Sequence, residues 1–153
     1  MNKAVWSIAF PGFGQLLNRQ FGKGLLFIFL EFLINMESHL NMAILLSFNG
    51  KTEMAVEQIN YHWLMNYPCF YLFAIYDAYI NSDGKKLPYS YIPFILSAFF
   101  GTIGVIYSRS FEINNILLGP VLLPIACMVS GGLSGHLISY IIVKYKQGGI
   151  LYE

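Results

Sequence analysis

The chain has 153 residues, of which 56% are hydrophobic, 17% aromatic and only 11% charged, with a mean hydropathy of +0.56. Soluble domains carry about 25% charged residues, so a water-covered surface would be short of ionic side chains. Nine Lys+Arg against eight Asp+Glu give a formal charge of +1, which leaves neither a basic face for nucleic acid nor an acidic disordered tail. The membrane class remains: an all-α polytopic transmembrane bundle, one domain over residues 1–153, in contact with a lipid bilayer.

Residues 4–17 form the first apolar stretch. At about 14 residues and 1.5 Å each it is too short to cross a core of roughly 30 Å, and Pro11-Gly12-Phe13-Gly14 breaks it. No small-x-small cleavage site follows, so it reads as retained rather than as a signal peptide. It is expected either to cross, with the N-terminus outside, or to be re-entrant, with Lys3 inside. Residues 24–48 are long enough to span with tilt, and 63–81, 91–107 and 117–143 supply three more spans, making four full spans plus the short broken helix. Of the connections, only 49–62 has room for a helical turn. Cys69 and Cys127 sit inside apolar runs without metal or redox spacing and read as buried free thiols.

Lys and Arg set the expected orientation. Arg19, Lys23, Lys85, Lys86, Lys144 and Lys146 fall on one side, and Lys51 and Arg109 on the other. The richer side faces the cytoplasm of a cell membrane, and the C-terminus lies there. Trp63 and Tyr107 then line the outer interface, with Tyr89, Tyr91, Tyr140 and Tyr145 at the inner one.

The opening Pro11-Gly12-Phe13-Gly14-Gln15-Leu16-Leu17-Asn18-Arg19-Gln20, followed by Lys23-Gly24, resembles the P-G-[LF]-G-Q-x-x-N-x-Q-x-x-K-G signature of the bacterial TM-two family of small two-helix membrane proteins. Phe73-Ala74-Ile75-Tyr76-Asp77-Ala78-Tyr79 is similar to the aromatic–Asp–Ala–Tyr ending of such units. The likeness covers residues 7–81, and 82–153 would be an added helical hairpin. The resemblance implies architecture, a hairpin with a tight turn, more than chemistry. Read physically, Pro11 lacks a donor while Gly12 and Gly14 permit positive φ and close approach. Gln15, Asn18 and Gln20 offer amides to backbone freed by the break, and Arg19 and Lys23 are expected among lipid phosphates. A ligand-binding turn is the other reading. The Walker pattern fails, because Leu17 stands at its first glycine and Gly24 at its hydroxyl residue. A faint echo of residues 9–14 at 98–104 hints at an inverted repeat.

Polar residues within the second span are the next candidates. At about 100° per residue, Glu31, Asn35, Ser38 and His39 share a face, with Glu37 and Asn41 beside it. A mid-bilayer charge costs at least ~2.5–3.5 kcal/mol, so such groups seek protein partners. By depth, Glu31 is expected to meet His136, either as an interhelical packing bond or as a proton or cation relay. Asp77 is expected to pair with Arg19, Lys23 or Lys85. In the last span, Gly131 and Gly135 with Ser130, Ser134 and Ser139 repeat small-x-x-x-small spacing, matched by Ser97 and Gly101 in the span before. This face serves internal packing, a second copy or another membrane protein. Gly132-Leu133-Ser134-Gly135 spells an intramembrane-protease string, but His136 lies on the same helix as Ser134, and the protease reading is set aside. No catalytic set, metal-ligand set or cofactor motif emerges. The expected function is a non-enzymatic membrane scaffold or accessory subunit; the alternative is a small proton- or ion-coupled transporter or channel component using Glu31 and His136.

Overall fold

Pro11 and Gly12 stop the first helix after two turns. In the computed structural model, which describes residues 3–149, α1 (Ala4–Ala9) and α2 (Phe13–Leu17) flank a Gly12 held at φ 103°. A Cβ there would lie 2.5 Å from the Gly24 carbonyl oxygen, so close backbone approach and left-handed geometry both call for glycine. The segment goes in and comes back. Lys3 reaches Asp83 at 2.7 Å and Asn18 donates to the Ala78 carbonyl at 2.8 Å, so both of its ends lie beside residues 78–83. The segment therefore folds back on itself, with both ends at one end of α7.

The stretch expected as one tilted helix over 24–48 is two helices, α3 (Phe21–Ser38) and α4 (Leu40–Phe48), bent by 65°. His39 adopts the left-handed conformation at the joint (φ 58°). Local bonds hold the break open. The Asn35 amide donates to Asn41 Oδ1 and its oxygen accepts from the Asn41 N–H, both at 3.3 Å, and the Ser38 carbonyl accepts from Asn60 N–H at 3.0 Å. Backbone groups released by a break need such partners in an apolar setting.

Two short helices, α5 (Thr52–Gln58) and α6 (Tyr61–Leu64), lead into α7 (Tyr67–Ile80), which carries Pro68 in its first turn. Proline is tolerated there because its missing N–H has no helical acceptor. Then come α8 (Tyr91–Tyr107) and α9 (Gly119–Gly149), joined through a small antiparallel hairpin of β1 (Glu112–Ile113) and β2 (Ile116–Leu117). Asn114 and Asn115 both have positive φ (53° and 61°), the requirement of a two-residue type I′ turn. Sequence reading missed this hairpin, although Asn114-Asn115 between the β-branched Ile113 and Ile116 was its signal.

Helices α8 and α9 pack closely along their lengths. A Cβ on Gly131 would lie 2.5 Å from the Leu96 carbonyl oxygen, and one on Gly135 2.5 Å from Pro93 Cα. Glycine at both positions is what lets the backbones meet. The echo of residues 9–14 at 98–104 has no structural counterpart. Phe100 stands where Pro11 does, and α8 runs unbroken through it.

The fold is therefore all-α apart from the one hairpin. Among the described residues, α9 over Gly119–Lys146 is long and apolar enough to cross a membrane, and α3 with α4 adds a second span if the bent pair counts as one. α7 and α8, at about 21 and 25 Å, are shorter, so by length and composition one helix or two, rather than the expected four, meet the requirement for a span among the described residues.

Candidate functional site

Two polar sites are built on this scaffold. The first is a knot where the opening motif meets α7. Gln15, fully buried, donates through Nε2 to the Ala74 carbonyl at 2.7 Å and to Asp77 Oδ2 at 3.0 Å. Its Oε1 accepts from the Ser7 hydroxyl, which in turn accepts from the Gly14 N–H at 3.1 Å. Lys23 donates to Asp77 Oδ1 at 2.9 Å. Of the amides expected to serve the Pro-Gly break, those of Gln15 and Asn18 serve α7 instead, and Ser7 takes the freed Gly14 donor. Lys23, expected among lipid phosphates, is committed to Asp77, while Arg19 stays exposed in a left-handed turn (φ 61°). Gln20 Oε1 is buried without a partner. Pro11 and Gly24 are buried, Gly24 against Leu16. The knot's chemistry is architectural, since every bond in it ties one segment to another.

The second site is a cavity of about 770 Å³ between α1, α3, α4, α7, α8 and α9, with Glu31 in its wall. Glu31 is 5% exposed. Its Oε1 accepts from the Tyr67 hydroxyl at 3.0 Å, and its Oε2 has no partner. Tyr71 stacks on Tyr67 with centroids 5.6 Å apart and gives its own proton to the Ile8 carbonyl at 2.6 Å. Pro11, Pro68, Pro120 and Pro124 all line the same space.

The expected Glu31–His136 contact is absent. His136 is exposed and lines a separate cavity of about 380 Å³ with Tyr79 and Ser139. Equal depth along two helices does not set the rotation of either about its axis, and α9 turns His136 away. Of the expected polar face of the second span, Glu31, Asn35 and Ser38 stay on one side of α3, with Glu31 and Ser38 buried, and the break at His39 takes only His39 out of that row. Asn35 pairs with Asn41, while Glu37 and His39 are exposed. Sequence reasoning missed Tyr67, Tyr71 and Ser7. The i, i+4 spacing of the two tyrosines puts them on one helix face, but nothing in the sequence says that this face meets Glu31.

On the small-residue face, Gly131, Gly135 and Ser139 are buried against α8, where Ser97 donates to the Met128 carbonyl at 2.9 Å and Gly101 abuts Met128. Ser130 and Ser134 are exposed and bond back to the Cys127 and Ser130 carbonyls, each at 2.8 Å. They lie one residue off the glycine row and so turn outward. The glycine row of this face is thus used inside the chain, while Ser130 and Ser134 remain exposed. Cys69, expected to be buried, is exposed, and both thiols are free. Among the described residues, no three His, Cys, Asp or Glu side chains gather as metal ligands.

No family model, curated protein or solved structure matches the chain. The TM-two likeness accordingly rests on the motif residues alone, and in this fold those residues meet one another in the Gln15–Asp77–Lys23 knot.

Proposed function

We propose that the chain is a small multi-pass protein of a cytoplasmic membrane, TM-two-like over residues 7–81, acting as a non-enzymatic scaffold or accessory subunit. One observation carries this reading. Large apolar side chains stand outward on the long helices, with Phe29 62%, Phe99 60% and Leu133 69% exposed, while the buried polar groups hold helices together. Monomeric soluble proteins rarely expose contiguous apolar patches beyond a few hundred Å². The orientation is supported by Lys23 on Asp77, Lys86 over Tyr79 and Lys146 over Tyr89, which gather at one end of α7–α9, whereas Arg109 covers Tyr61 at the other. The C-terminal four residues lie outside the described part, and the C-terminus is assigned to the cytoplasmic side through Lys144 and Lys146.

Photo-crosslinking residues placed at positions 29, 99 and 133 in native membranes test the assembly role. A discrete protein adduct from one face and lipid adducts from the others is the expected pattern; lipid adducts from all three would overturn it. The cavity at Glu31 favours a second reading, a transport component using Glu31 without His136. Proton flux in proteoliposomes that vanishes with Glu31→Gln would put that reading first.

A further inference from the structure

The wall of the Glu31 cavity is mostly apolar and offers no side-chain donor that is not already committed. Its hydroxyl protons are already placed: Tyr67 gives its proton to Glu31, Tyr71 to the Ile8 carbonyl and Ser97 to the Met128 carbonyl. Four prolines line it, and proline has no N–H to offer. Pro124 inside α9 also cannot donate to the carbonyl of Pro120, four residues back. Against this stands one carboxylate oxygen, Glu31 Oε2, buried and unpaired. An unmatched buried acceptor of this kind is costly, and the cavity around it is otherwise apolar and large enough for a small organic molecule.

We propose that this cavity binds a lipophilic primary amine: an ammonium head paired with the Glu31 carboxylate and a hydrocarbon body against the prolines and aliphatic side chains. The head supplies what the wall lacks, N–H donors and a positive charge. The terminal carboxyl torsion of a glutamate is soft, so a small rotation of Glu31 presents Oε2 to the cavity. A fatty acid or other anion fails on charge, and a neutral hydrocarbon leaves Oε2 unpaired. The inference rests on the membrane placement proposed above, since the ligand reaches the site from the bilayer, and it holds for either role of the protein.

The test uses the full chain in phosphatidylcholine nanodiscs with adamantan-1-amine as the probe and empty nanodiscs as the partition blank. Saturable binding of one amine per chain is expected, with its trimethylammonium counterpart, equal in charge but without N–H, about tenfold weaker. Glu31→Gln should bring the amine down to the level of the trimethyl compound. Ile125→Trp, at a half-exposed position of the cavity lining, should abolish saturable binding of both. Binding no greater than in empty discs overturns the proposal. So does equal binding of the two cations by the wild-type chain, or undiminished amine binding by Glu31→Gln. Should Glu31→Gln misfold, the two-cation comparison and Ile125→Trp still decide. Failure of the membrane reading shows separately, as a chain that alkaline carbonate strips from membranes and that does not enter nanodiscs.

Discussion

Lys23 and Asp77, 54 positions apart in the chain, meet at 2.9 Å, and the same carboxylate takes a second hydrogen bond from the buried Gln15. The Asp77 side chain is 10% exposed and that of Lys23 52%, so the two partners should not respond alike to substitution. Asp77→Asn leaves Gln15 and Lys23 competing for a neutral amide oxygen and is expected to destabilise by about 1–3 kcal/mol. Lys23→Met, at the wetter end of the pair, should cost about 0–1 kcal/mol. Unfolding midpoints in mild detergent for both single variants and the double variant check the ordering. A Lys23→Met loss larger than that of Asp77→Asn would contradict it.

Gln15 is fully buried, with its amide on the Ala74 carbonyl and Asp77 and its oxygen on Ser7. Gln15→Leu keeps the bulk and strands those partners, and a loss of about 1–3 kcal/mol is expected. Amide exchange of Gly14, whose N–H depends on Ser7, should accelerate in the same variant.

Two glycines separate packing from propensity. Gly131 faces the Leu96 carbonyl, whereas an added Cβ on Gly22 in the first turn of α3 meets nothing within 4 Å. Gly131→Ala should therefore push α8 and α9 apart at a cost of about 1–3 kcal/mol. Gly22→Ala should stabilise by about 0.4–1 kcal/mol through the entropy of the unfolded chain. Melting curves that move both variants in the same direction would refute the α8–α9 contact as described.

Asp83 lies in the connection before α8, fully exposed, with the hydrogen bond from Lys3 and then its positive charge holding the carboxyl below its ordinary range. A carboxyl depressed in the folded state stabilises above its unfolded value, and that contribution fades as pH falls through the folded one. The tie between Lys3 and the 82–90 connection should hence survive at neutral pH and loosen only in acid. Carbon NMR titration of Asp83 should show a low midpoint that returns to the ordinary value in Lys3→Met. An unchanged midpoint would remove the contact that places the Lys3 end of the segment beside the connection after α7.

Much of the chain's organisation was legible before any coordinates. The break at Pro11-Gly12, the helix over 91–107 and the long last helix each follow from local cues: a residue without a donor, a glycine with free φ, and sustained apolar composition. Asp77 was also readable as a group needing a cation, because a charge near an apolar helix end has few places to go. The break at His39 was not readable, since no proline or glycine marks it. It exists because Asn35, Asn41 and Asn60 satisfy the backbone there, and Asn60 arrives from a separate segment.

By itself, then, the sequence determined composition, helical character, the turn chemistry of the opening motif and which polar residues would have to find partners. The tertiary structure alone decided who those partners are. Lys23 rather than Arg19 or Lys85 reaches Asp77, Tyr67 rather than His136 reaches Glu31, and the glycine row of α9 closes on α8. Burial makes an unpaired polar group costly wherever it sits along a helix, so the need for a partner is a local property. Its identity depends on the rotation of each helix about its axis and on which neighbour lies alongside, and these emerge only when all the helices pack together.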